Sequence, residues 1–209
     1  MIDLLARVRI VPVLTIRKRE DAVPLARALV AGGIDVLEIT LRTPAARDAA
    51  RDIIAQVPDA IVGLGTVLNP QDLADAEAIG ARFAVSPGAT DALLAVKSRI
   101  PLLPGVATAS DCMRAIAHGH KATKFFPAGA IGGTAALKAL RGPFPDLLFC
   151  PTGGVDAGNL AEYMALPNVV AVGGSWVAPD GDIAKGNWSA ITERAREARA
   201  VAAKTKGTT

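Results

Sequence analysis

A lysine within a short apolar segment is the residue of this sequence with the clearest chemical potential. Lys124 lies in residues 122–128 (ATKFFPA), a composition typical of a β-strand that a proline ends. Strand alternation places Lys124 and Phe126 on one face. Burial disfavours a charged amine and so favours the neutral form, which attacks a carbonyl group to give a Schiff base. The structural alternative is a lysine whose stem packs in the core while its head reaches solvent.

Two charged residues share one face of a second apolar run, residues 36–41 (VLEITL). Side chains alternate along a strand, so Glu38 and Arg42 lie on the same face as Thr40. Such a pair either forms a structural ion pair or serves a reaction, as a general acid–base and an anion-binding group. Both interpretations stay open for the pair alone. With Lys124 nearby, the three charged groups would form one reactive cluster.

Two glycine pairs close the last two predicted strands. Gly153 and Gly154 end one of them, and Gly173 and Gly174, followed by Ser175, end the next. Glycine pairs also mark ordinary tight turns. Exposed backbone N–H groups on successive strand ends nevertheless favour an anion, so the two pairs together predict a phosphate site.

These residues are set in a repeated order of strand and helix. After a short N-terminal helix, about eight strand–helix units of about 25 residues follow one another, with helix-start signals such as residues 69–70 (NP). This order predicts a (β/α)8 TIM barrel in one domain, residues 1–209, with its active site at the carboxyl ends of the strands. An open doubly wound sheet is the alternative. It usually carries a glycine-rich loop after the first strand, whereas residues 15–18 are TIRK.

Composition and charge further restrict the fold class and the partners that the sequence is compatible with. Of 209 residues, 51% are hydrophobic and 4% aromatic, which suits a core of aliphatic strands covered by helices. The net charge is +3, and no lysine–arginine run is interleaved with aromatic residues, so we expect no nucleic-acid partner. The sequence holds no apolar run long enough to span a membrane and no signal peptide, and we expect a cytoplasmic protein. The two cysteines have no metal-like spacing, and His118 and His120 are expected away from the active site.

Six motifs occur in the order typical of one family. The sequence resembles the class I bacterial 2-keto-3-deoxy-6-phosphogluconate (KDPG) aldolases, which overlap with the 4-hydroxy-2-oxoglutarate (KHG) aldolases. The resemblance covers nearly the whole chain. It rests on residues 37–43 (LEITLRT), 65–69 (GTVLN), 86–88 (SPG), 124–128 (KFFPA), 151–155 (PTGGV) and 173–176 (GGSW).

The resemblance implies a homotrimer of (β/α)8 barrels that cleaves KDPG to pyruvate and glyceraldehyde 3-phosphate without a metal or organic cofactor. It also implies a role for each matching residue. Lys124 would form the Schiff base and Glu38 would act as the general acid–base. The substrate would be bound by Arg42 and Thr66 at the pyruvate carboxylate, Phe126 at the methyl group, and Gly153, Gly154, Gly173, Gly174 and Ser175 at the phosphate.

Three alternatives to KDPG cleavage remain at this point. The same chemistry could act on KHG or on the galactonate epimer of KDPG. A phosphosugar isomerase of similar barrel form needs no lysine imine. A catalytically silent barrel would only bind phosphorylated metabolites. The role of Arg17, at the end of the first strand, is left open between substrate binding and simple exposure.

Overall fold

The computed structural model describes residues 1–205, which form an α/β fold built on a curled parallel sheet. The strands are β1 (Ile10–Leu14), β2 (Val36–Thr40), β3 (Ile61–Gly65), β4 (Phe83–Val85), β5 (Leu102–Leu103), β6 (Gly105–Val106), β7 (Ala122–Phe125), β8 (Leu148–Pro151) and β9 (Val172–Gly174). The helices are α1 (Ile2–Val8), α2 (Ala22–Ala31), α3 (Ala46–Gln56), α4 (Pro70–Ile79), α5 (Asp91–Leu94), α6 (Ala109–Ala117), α7 (Gly133–Arg141), α8 (Leu160–Met164), α9 (Asp180–Lys185) and α10 (Trp188–Lys204). The predicted alternation and the short N-terminal helix are confirmed.

The strands pair in two parallel sheets. One has the order β5-β4-β3-β2-β1-β9, and the other has the order β6-β7-β8. Pro104, which has no N–H to donate, separates β5 from β6 and divides what the sequence predicts as one strand. Two parallel bridges, Phe149 to Val169 and Thr152 to Gly173, connect β8 with the β9 side. The parallel sheet is therefore as predicted, but its hydrogen-bonded ladders do not form one continuous ring of eight strands.

Two hydrophobic cores show how the sheet is curled. The larger core lies between the strands and the helices. The smaller, inner core gathers side chains from strands far apart in the pairing order, such as Phe83 on β4 and Cys150 on β8. Only a curled sheet brings these strands around one cluster. Leu5 and Val8 of α1 complete the inner core, and Gly63 leaves room there for the Phe83 ring.

The helix starts follow local chemistry. At α4, the Asn69 side chain accepts a hydrogen bond from the Asp72 backbone N–H, and Pro70 occupies the first turn, as the sequence predicts. Thr108 caps α6 in a capping box with Asp111. Such caps end the strand-to-helix loops at defined residues and so fix the loops that surround the strand ends.

Candidate active site

A buried ion pair joins two strands on opposite sides of the curled sheet. Lys124 on β7 donates from Nζ to Oε1 of Glu38 on β2 at 3.0 Å. The two side chains are only 4% and 3% exposed. The lysine head therefore does not reach solvent, and the packed-stem alternative is wrong. Glu38 has Lys124 as its ionic partner, so the alternative of a structural ion pair between Glu38 and Arg42 is wrong as well.

Three neighbours define the surroundings of this pair. The Phe126 ring centroid lies 5.5 Å from Lys124 Nζ. Cys150 is the registered neighbour of Lys124 on β8, and burial raises the pKa of its thiol to about 12. Gly65 on β3 lies against Glu38, since a Cβ there would stand 2.6 Å from Glu38 Cγ and 2.8 Å from Cδ. The Glu38 carboxylate is thus held between Lys124 and the backbone of Gly65, which has no side chain.

Arg42 and Thr66 form a second contact near the end of β2. Arg42 donates from Nε to Thr66 Oγ1 at 3.2 Å. Thr66 has a φ of 60°, which is the left-handed region that β-branched residues rarely adopt. This costly conformation turns the hydroxyl toward Arg42 and leaves the two outer nitrogens of the guanidinium for another acceptor.

A cavity of about 200 Å³ lies over the buried pair. Most of the predicted substrate-binding residues line it: Arg42, Phe126, Gly153, Gly154, Gly174 and Ser175. Two of its lining residues adjoin the ion pair: Val13 is the registered neighbour of Glu38, and the Phe126 ring centroid is 5.5 Å from Lys124 Nζ. The pair itself does not line the cavity but lies beneath these residues, at the end that we call the floor. Gly153 and Gly154 have φ values of 88° and 81°, so a side chain there would be strained.

Gly173 and Thr66 are the two predicted binding residues that do not line this cavity. A Cβ on Gly173 would collide with the side chain of Thr152, and a Cβ on Gly174 would collide with the Trp176 ring. Gly173 thus allows close packing behind the wall of the cavity. Thr66 is connected to the cavity through Arg42.

The larger cavities of the molecule lie elsewhere. Two, each of about 570 Å³, share Gly119, His120 and Lys121 at the amino end of β7. His118 lies 3.9 Å from Asp91. Both histidines are away from the buried pair, as predicted. Across residues 1–205 no group of three or more potential metal ligands occurs, and no helix is long and apolar enough to cross a membrane.

The geometry agrees with comparisons to known proteins. A family model described as KDPG and KHG aldolase matches residues 1–194. The chain belongs to this aldolase family. It is 53% identical over 203 residues to the 2-dehydro-3-deoxy-phosphogluconate aldolase of Pseudoalteromonas atlantica, covering 96% of this chain and 94% of that protein. It is 52% identical over 191 residues to the KHG/KDPG aldolase of Escherichia coli K12, covering 90% of each.

Solved structures of KDPG aldolases have the same fold. The Legionella pneumophila enzyme, with pyruvate captured as a covalent carbinolamine intermediate, superposes with a TM-score of 0.91 and 50% identity, covering 93% of this chain and 96% of that one. The Zymomonas mobilis enzyme with 3-phosphoglycerate gives a TM-score of 0.88 and 47% identity, covering 95% of each chain.

Several residues around the cavity of this family member were not selected from the sequence. Thr15, Thr152 and Asp180 line the cavity as well. Arg17, whose role the sequence left open, donates to Asp180 at 2.9 Å across the exposed edge. Thr15 follows Val13 by two residues, so strand alternation would have placed it on the inner face. No sequence pattern points to Asp180, which begins a helix far along the chain.

Proposed function

We propose that this chain is a class I aldolase that cleaves KDPG reversibly to pyruvate and glyceraldehyde 3-phosphate. The buried amine of Lys124, 3.0 Å from the carboxylate of Glu38, carries the proposal. A class I aldolase needs an amine nucleophile beside a proton-transfer group, and this pair supplies both. The family membership and the carbinolamine captured in the Legionella relative support the same chemistry.

The proposed reaction uses the ion pair as a proton-transfer unit. Lys124 gives a proton to Glu38 and attacks the C2 ketone to form a carbinolamine. Glu38 returns that proton to the C2 oxygen, which leaves as water, so that an iminium and an ionised Glu38 remain. The iminium accepts the electron pair of the C3–C4 bond as it breaks, while Glu38 takes the proton of the C4 hydroxyl. The aldehyde leaves. Glu38 returns a proton to C3 of the enamine, and water releases pyruvate from Lys124.

The residues around the pair would orient the keto acid. Arg42, positioned by Thr66, offers two outer nitrogens that suit bidentate binding of the pyruvate carboxylate. The Phe126 ring near Lys124 Nζ would pack against the pyruvate methyl group. Fixing the carboxylate and the methyl group turns the ketone carbon toward the Lys124 amine. This orientation lowers the entropic part of the activation free energy.

The far end of the cavity would bind the phosphate. Gly153 and Gly154 on one side, and Gly174 and Ser175 on the other, line it. Their backbone N–H groups and the Ser175 hydroxyl are donors suited to an anion. Gly173 would contribute by letting the Gly174 backbone pack close to β8.

A second substrate class has a specific observation behind it. One relative, that of Escherichia coli, carries the name KHG/KDPG aldolase. KHG cleavage uses the same amine and carboxylate but has no phosphate to bind. We therefore propose KDPG as the main substrate, with KHG or the galactonate epimer of KDPG as alternatives of the same mechanism.

We also propose the finer architecture. Taking β5 and β6 as one strand interrupted at Pro104 gives eight strands, and the bridges from β8 to the β9 side support closure into a single-domain (β/α)8 barrel. A cytoplasmic homotrimer follows from the family resemblance. Sedimentation of the purified protein at three times the chain mass of 21.4 kDa would support the trimer.

Borohydride reduction in the presence of pyruvate tests the proposed function. We expect one adduct on the peptide containing Lys124, with the mass of pyruvate less one water plus two hydrogens. Lys124→Met should abolish both the adduct and KDPG cleavage, whereas Lys121→Met, which removes an exposed lysine near the start of the same strand, should keep both. A folded wild-type protein without the adduct would refute the Schiff-base mechanism and leave an isomerase or a binding protein. KDPG cleavage by Lys124→Met would refute it too.

A further inference from the structure

Two threonine hydroxyls are joined at the inner face of the cavity. Thr40, on β2, is completely buried, and its Oγ1 donates to the backbone carbonyl of Leu14 at 3.0 Å. The hydroxyl of Thr15 lies 3.1 Å from the same Thr40 oxygen. Thr15 is half-buried and lines the cavity. The buried hydroxyl therefore connects a backbone carbonyl to a residue on the cavity wall.

The number of protons fixes the direction of this chain of hydrogen bonds. A carbonyl oxygen has no hydrogen, so the contact with Leu14 uses the one proton of the Thr40 hydroxyl. The contact between the two threonines must then use the proton of Thr15. With its proton committed to Thr40, the Thr15 oxygen presents lone pairs to the cavity. It can accept a hydrogen bond from a substrate and cannot donate one.

The position of β1 places this acceptor between the two ends of the proposed substrate. β1 pairs with β2, which carries Glu38, and on its other side with β9, which carries Gly174. Val13 is level with Glu38 at the cavity floor. Thr15 is two residues further toward the cavity opening on the same face. Thr15 therefore lines the β1 wall of the cavity between the floor and Gly174.

We propose that Thr15 determines substrate specificity by accepting a hydrogen bond from the C5 hydroxyl of KDPG, the hydroxyl between the reacting C4 and the phosphate-bearing C6. This inference rests on the proposed function. In the proposed reaction Glu38 takes the proton of the C4 hydroxyl at the floor. The next hydrogen-bond donor along the substrate is the C5 hydroxyl, one carbon closer to the cavity opening. In the direction of synthesis this group is the C2 hydroxyl of glyceraldehyde 3-phosphate. Thr15 thus favours aldehydes that carry a hydroxyl next to the aldehyde carbon.

The test compares two aldehydes in aldol addition to pyruvate. One is glyceraldehyde 3-phosphate, and the other is 3-oxopropyl phosphate, which lacks only the C2 hydroxyl. We expect Thr15→Val, which keeps the shape of the side chain, to lower kcat/KM for glyceraldehyde 3-phosphate about fivefold, the size of one hydrogen bond between uncharged groups. The value for 3-oxopropyl phosphate should stay unchanged. Thr15→Ser retains the hydroxyl and should retain the wild-type preference.

The outcomes separate this inference from the proposed function. If Thr15→Val lowers both values equally or neither, the hydroxyl contact is refuted while the aldolase function stands. If Thr15→Ser loses the preference as Thr15→Val does, retaining the hydroxyl is not sufficient for the preference and the inference is also refuted. A wild-type protein that forms no product and no pyruvate adduct on Lys124 would overturn the proposed function and the inference with it.

Discussion

Gly65 offers the sharpest test of how the carboxylate is positioned. In Gly65→Ala the new Cβ would lie 2.6 Å from Glu38 Cγ and 2.8 Å from Cδ, whereas an ordinary contact begins near 3.4 Å. The strand backbone is fixed by its ladders on both sides, so the Glu38 side chain must move by about 1 Å. A misplacement of about 1 Å at a reacting group costs on the order of a hundredfold in rate. We expect kcat for KDPG cleavage to fall by about that factor.

The assay is steady-state cleavage of KDPG, with pyruvate release followed, and circular dichroism to verify folding. Gly142→Ala is the control, because Gly142 is exposed, has a φ of −58° and lies far from the cavity. In a Glu38→Gln background, where the proposed general acid–base is already lost, Gly65→Ala should have little further effect. A folded Gly65→Ala protein with the wild-type kcat would refute this reasoning. So would a hundredfold loss that persists in the Glu38→Gln background.

Three further predictions follow from the site. Lys124→Met leaves the Glu38 carboxylate buried without its partner and should lower the free energy of unfolding, measured in urea at pH 7, by about 3 kcal/mol. Combining Lys124→Met with Glu38→Met should recover most of the lost stability. A double variant as unstable as the single variant would contradict this prediction. Thr66→Gly relieves the left-handed backbone strain and should raise the free energy of unfolding by about 1 kcal/mol. The KM for pyruvate in aldol addition should rise in this variant, because Arg42 loses its contact with the Thr66 hydroxyl. Thr66→Ser should keep the wild-type KM, and an unchanged KM in Thr66→Gly would contradict the positioning of Arg42 by Thr66. The pKa of the Cys150 thiol is raised to about 12 by burial, so a thiol reagent at about pH 8 should modify its peptide only after unfolding; rapid labelling of the native protein would show that the inner core is open.

The sequence predicted the faces of the strands better than the contacts between them. Alternation alone placed Lys124 with Phe126 and Glu38 with Arg42 on shared faces. It could not tell whether Glu38 pairs with Arg42 nearby or with Lys124, 86 residues away, because that choice depends on how the sheet curls. The roles carried over from the family remain predictions for all these residues.

Sequence patterns also could not predict two local features of the backbone. Pro104 is visible in the sequence, but whether it ends a strand or interrupts one depends on the neighbouring ladders. The left-handed backbone of Thr66 contradicts the preference of a β-branched residue. Only the surrounding structure can enforce it, so local propensity predicts the wrong conformation there.

The burial gradient of the cavity has a consequence for redesign. Lys124 and Glu38 are sealed at the floor, whereas Thr15, Arg17 and Ser175 stand at the partly or fully exposed edge. The proposed bond breaking and the proposed aldehyde selection would therefore use separate layers of side chains. A library of substitutions confined to the edge can change the aldehyde that is accepted without disturbing the nucleophile. Evolution could likewise produce new aldol specificities on this scaffold by changing the outer layer alone.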